Sequence, residues 1–75
     1  MAKVEKIIVK MKNQPHSISY EDAAKVLNYY GYLLVRSNGS HMHFRNDKGD
    51  LITIKKDTPT IKIPYVKDIL VRIGE

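Results

Sequence analysis

Apolar residues recur at helical spacing in three stretches of the chain, and between the second and third the pattern changes to that of strands. Val4, Ile7, Ile8 and Met11 fall at i, i+3, i+4 and i+7, separated by Lys3, Glu5, Lys6, Lys10 and Lys12. This spacing predicts a helix over residues 3–12 with one apolar stripe. Asn13-Gln14-Pro15-His16 ends it, because Pro15 has no N–H to donate and biases the residue before it away from the helical region. After a short connection, Ser19 with Asp22 three residues on reads as a variant capping box. Tyr20, Ala23, Ala24, Leu27 and Tyr30 then line one face until Gly31 offers a C-terminal cap, which predicts a second helix over residues 20–30.

Beyond Gly31 the run Tyr32-Leu33-Leu34-Val35-Arg36 reads as a strand, Ser37-Asn38-Gly39 as turn material, and His41-Met42-His43-Phe44-Arg45 alternates residue by residue. Asn46-Asp47-Lys48-Gly49-Asp50 is a second polar turn, and the β-branched run Leu51-Ile52-Thr53-Ile54 supplies a third strand. Thr58-Pro59 closes this region. Pro64 suits the first turn of a helix on which Val66, Ile69, Leu70 and Ile73 again share a face before Gly74. The expected fold is α+β: a meander of three antiparallel strands with helices covering one face and the other face open. With no linker-like tract, residues 1–75 read as a single domain, in which 19–74 form an α-β-β-β-α core and 1–14 a helical appendage.

Composition narrows what such a domain can do. A chain of 75 residues hides only about 60% of the surface its unfolded form exposes, so any site must be shallow. It has no cysteine, which removes disulfides, thiolate ligands and thiol nucleophiles. No apolar run reaches the roughly 20 residues of a membrane span, and the expectation is a soluble, cytoplasmic protein without cofactor. Thirteen Lys and Arg against eight Asp and Glu give a formal charge of +5. Apart from the N-terminal lysines, the excess lies on the strands and the loop into the last helix. There Arg36, Arg45, Lys55, Lys56, Lys62 and Lys67 suggest a field that attracts phosphate, although lysine is also ordinary solubilising surface.

The second strand carries the candidate chemistry. Side chains alternate, so Met42 and Phe44 face the core while His41, His43 and Arg45 face solvent beside the basic residues. Imidazole can take and give a proton near neutral pH. RNA supplies its own nucleophile, the 2′-hydroxyl, so its cleavage needs only a base, an acid and cations for the phosphorane charge. The His41-x-His43 pair is a poor metal site, since zinc needs three or four ligands and the third histidine, His16, lies in a distant segment. Tyr20, Tyr29, Tyr30 and Tyr32 cluster around one helix and its exit, where packing explains them better than base stacking. No phosphate-binding glycine loop or Ser-His-Asp order is present.

Gly31-Tyr32, Val35-Arg36 and Gly39-Ser40-His41 with Phe44 together resemble the G-[FWY], V-R and G-S-H-x-x-[FY] signature of HicA-type toxins, over about 55 residues. The resemblance implies a fold similar to a double-stranded-RNA-binding domain. It also implies a metal-independent endoribonuclease that cleaves messenger RNA and is neutralised by a HicB-type antitoxin. His41 matches the family's catalytic histidine, and Gly39 and Ser40 the turn that presents it. Arg36, Arg45, Lys55 and Lys56 become candidate RNA contacts. Where many relatives carry a Pro and a second His after the third strand, this chain has Lys55-Lys56-Asp57. Two other readings suit the same basic face: an RNA-binding module without catalysis, or an interaction protein for an acidic partner.

Overall fold

The computed structural model describes residues 2–75. Its elements follow the order expected from the sequence, with helix α1 at Ala2–Asn13, a 3-10 turn at Pro15–Ser17 and helix α2 at Tyr20–Tyr29. Strands β1 (Leu33–Asn38), β2 (His41–Arg45) and β3 (Leu51–Lys55) come next, and helix α3 (Ile63–Arg72) ends the fold. The strands form one antiparallel sheet in the order β1-β2-β3, so β2 is central.

Local chemistry sets the ends of α2. The Ser19 side chain accepts a hydrogen bond from the Asp22 N–H (3.2 Å), satisfying one of the donors a helix start leaves free. At the other end Gly31 takes φ +88°, and the N–H groups of Gly31 and Tyr32 donate to the carbonyls of Asn28 (3.1 Å) and Leu27 (2.8 Å). This is a Schellman closure, which needs a residue at ease in the left-handed region. It turns the chain sharply into β1 and leaves Tyr32, expected as strand, buried just before it.

One cluster fills the interior. Phe44, Ile52 and Ile54 come from the sheet, Ala23, Val26 and Leu27 from α2, Val66 and Ile69 from α3, and Ile18 and Ile61 from connections tied by the Ile61 N–H to the Ile18 carbonyl at 2.9 Å. The N-terminal helix, an appendage by its sequence, supplies Ile7, Ile8 and Met11 to this same cluster, with Met11 fully buried. The helices cover the face that carries Phe44, Ile52 and Ile54. The opposite face, with His41, Arg45 and Leu51 exposed, is open.

The first strand differs from its expected form in two ways. It continues through Ser37 and Asn38, which local pattern assigns to the turn, and the turn shrinks to Gly39-Ser40. Gly39 has φ +62° while no residue other than glycine has positive φ among the described residues. Positive φ at the first of two central residues alone is the pattern of a type II′ hairpin turn, whose twist matches that of the strands it joins. The pairing also slips between Leu34 and Arg36. Val35 is the extra residue of a β-bulge there, a feature invisible in the continuous apolar run Leu33-Leu34-Val35.

Candidate functional site

Register determines which groups meet on the open face. Residues paired across antiparallel strands point to the same side. His41 pairs with Asn38 and Lys55, His43 with Arg36 and Thr53, and Arg45 with Leu33 and Leu51. The face therefore holds two imidazoles flanked by Arg36, Arg45 and Lys55, and no carboxylate occupies any of its paired positions. Arg36 owes its place to the bulge. Leu34 pairs with Phe44 on the core side, so strict alternation would return Arg36 to that side too; the extra residue at Val35 brings it out beside His43.

His41 opens β2 directly after the Gly39-Ser40 turn, and its residue is exposed. The turn is pinned from the far side, where the Lys56 N–H donates to the Ser40 carbonyl at 2.7 Å. His43 is half-buried, and its Nδ1 lies 2.8 Å from the Thr53 hydroxyl. Around His43 the surface dips into a shallow concavity of about 370 Å³ lined by Val35, Arg36, Arg45, Leu51 and Thr53. A second cleft, of about 420 Å³, lies between α1 and the end of α2, beside the Lys12–Glu75 ion pair (2.6 Å). It contains no histidine and lies on the helical side.

Of the RNA contacts expected from sequence, Arg36, Arg45 and Lys55 share the face with His41. Lys55 is partly engaged, its ammonium 3.9 Å from Asp57. Lys56 does not belong with them: one residue beyond β3 its side chain turns toward α2 and sits over the Tyr20 ring, 5.2 Å from the centroid. Tyr20 in turn packs against Phe44 at 6.4 Å between ring centres, so Lys56 joins the helical side through a cation–π contact. The Tyr20 hydroxyl titrates above its ordinary value of 10.0, first because burial disfavours the phenolate and second because Glu21 is adjacent. Among the described residues no three His, Asp or Glu side chains converge as metal ligands.

Sequence alone sets His43 on the open face, but only as a neighbour of His41. Its Thr53 partner and its place in the wall of the concavity depend on strand register, which no local signal gives. Alternation in Leu51-Ile52-Thr53-Ile54 is the available hint, since it sets Thr53 on the polar side.

Among the described residues no helix is long and apolar enough to cross a membrane. No curated protein and no solved structure matches the chain. A family model does match, that of the HicA toxin of bacterial toxin-antitoxin, over residues 20–74. This segment runs from the first residue of α2 through the sheet and α3, and so contains every group on the open face. Family membership brings the toxin role and a cognate antitoxin partner with it. On a match spanning most of its length, with the three-stranded α+β fold expected of such a toxin, the chain belongs to the HicA toxin family.

Proposed function

We propose that this toxin is an endoribonuclease that cleaves messenger RNA through the open face of its sheet, with His41 as the essential acid/base. The observation that carries this reading is the placement of an exposed imidazole at the tip of the central strand, on one face with Arg36, Arg45 and Lys55. RNA brings its own nucleophile, so the protein has little to add. It must remove the 2′-hydroxyl proton, protonate the departing 5′-oxygen and offset the negative charge that grows on phosphorus. The reaction so described uses no metal. Gly39 and Ser40 hold His41 at the hairpin tip, where a flexible single strand reaches it without entering a cleft. A HicB-type antitoxin neutralises the toxin in this reading, and the positive face suits a partner presenting acidic groups.

The test is expression of wild type and His41→Ala in cells, with messenger RNA and growth followed together. Loss of general acid–base catalysis lowers rates by about 10²–10⁴-fold, so the variant should leave RNA intact and growth unimpaired. Purified wild type should cleave RNA in EDTA. Equal RNA loss from the two proteins would defeat the assignment. Salt-sensitive RNA binding by wild type without cleavage at any pH would replace it with a binding module.

A further inference from the structure

We propose that His43 is a second proton-transfer residue, working opposite His41 on the same phosphodiester; this rests on the reading of the open face as a ribonuclease site. The two histidines are separated by one inward residue, Met42, so their Cα atoms stand about 6.5 Å apart on one face of the strand. That separation leaves room for a phosphodiester between them while each ring nitrogen comes within about 2.6–3.2 Å of its own oxygen. His43 lines the concavity on this face together with Arg36, Arg45 and Thr53, with apolar walls from Val35 and Leu51.

The ring is also held in a way that suits proton transfer. With Nδ1 at 2.8 Å from the Thr53 hydroxyl, Nε2 is the nitrogen left for substrate. A threonine hydroxyl both accepts and donates. In the protonated imidazole, and equally in the neutral ring whose Nε2 has given its proton away, Nδ1–H donates to the Thr53 hydroxyl, so Nε2 alone gives or takes the proton. The ring keeps its orientation through either state. The charged and titratable groups around it are Arg36 on β1, His41 and Arg45 on its own strand and Lys55 on β3; the helices pack on the other face of the sheet.

The reaction balances without a co-reactant. One imidazole takes the 2′-hydroxyl proton as the 2′-oxygen bonds to phosphorus, and the other, protonated, gives its proton to the 5′-oxygen as that P–O bond breaks. A 2′,3′-cyclic phosphate and a 5′-hydroxyl result, and the two rings have exchanged protonation states.

The experiment measures kcat and KM against pH on a short RNA for wild type, His41→Ala, His43→Ala and Thr53→Val, with thermal midpoints as the folding control. His43→Ala should unfold at the wild-type temperature, lose about 10²–10⁴-fold in kcat with KM nearly unchanged, and show one limb of the bell-shaped profile instead of two. Free imidazole in the buffer should restore part of its rate. Thr53→Val should fall between it and wild type. A His43→Ala protein that cleaves within about threefold of wild type with both limbs intact, or that changes only in KM, overturns the proposal while leaving a His41-dependent ribonuclease standing. Wild type that does not cleave, or His41→Ala that cleaves equally, overturns the ribonuclease reading and this proposal together.

Discussion

Met11 offers the sharpest test of how this fold is held together, because it lies in α1, before the segment matched by the family model, yet is fully buried. Replacing it by Ala removes the thioether and its flanking carbons from a packed interior, and buried Met→Ala changes cost about 2–5 kcal/mol. A domain of this length has a total stability of about 4–11 kcal/mol at the usual 0.05–0.15 kcal/mol per residue. A loss near 3 kcal/mol is therefore a third or more of the whole for all but the upper end of that range. For so small a domain each kcal/mol moves the midpoint by about 4–8 °C, so Met11→Ala should melt about 12–24 °C below wild type. The control sits on the same helix: Val9 is 55% exposed, and Val9→Ala should change stability by no more than about 0.5 kcal/mol. Thermal and urea unfolding followed by circular dichroism measure both. A Met11→Ala midpoint within about 4 °C of wild type, or an unchanged midpoint on deleting residues 1–13, would show that α1 rests on the core without completing it.

Other expectations concern the face, the turn and the Tyr20 phenol. Arg36→Ala and Arg45→Ala should each weaken RNA binding similarly across sequences and reduce the slope of log affinity against log salt by about 0.7, the change that follows when one fewer phosphate of a single strand is neutralised; an unchanged slope removes that arginine from the interface. Gly39→Ala should cost about 1–2 kcal/mol through its positive φ alone, since nothing lies within 4 Å of the added methyl. Gly39→Asn should cost less, and equal melting of the two would mean that the turn has rearranged. Tyr20 is neutral in the folded protein to higher pH than when unfolded. Its contribution is therefore complete below pH 10 and lost as pH rises through the folded value; Tyr20→Phe should flatten that alkaline decline, and an ultraviolet titration that reads an ordinary phenol would contradict it.

The helices and the hairpin are legible in the sequence because each is written in local pattern. Apolar stripes, Ser19 before α2, Gly31 after it and Gly39 in the turn are all signals a short window contains. The extra residue at Val35 is not legible, since Leu33-Leu34-Val35 is apolar throughout and gives alternation nothing to mark. Every consequence of that bulge is hidden with it, including why Arg36 reaches the open face. Lys55-Lys56 shows the complementary failure: two adjacent lysines look alike in sequence, yet Lys55 ends β3 on the face of His41 while Lys56, just past the strand, turns to the Tyr20 ring. The stripe on α1 predicts a buried face, but not that its side chains fill the same interior as those of the sheet, which depends on packing between distant segments.

Core and candidate site are coupled here by register more than by contact. In β2 the residues that anchor the sheet, Met42 and Phe44, alternate with His41, His43 and Arg45 on the open face, so one five-residue strand carries both. A slip of one residue against β3 would put Phe44 in water and the imidazoles among Ile52 and Ile54, an exchange that every buried apolar contact opposes. The hydrophobic interior thus fixes which way the histidines point without touching them. The bulge then adjusts the neighbouring strand by one residue, so that a cation stands beside His43 where alternation alone would have left an apolar side chain. A protein with little interior can build a reactive surface this way, because orientation comes from the far side of the same sheet.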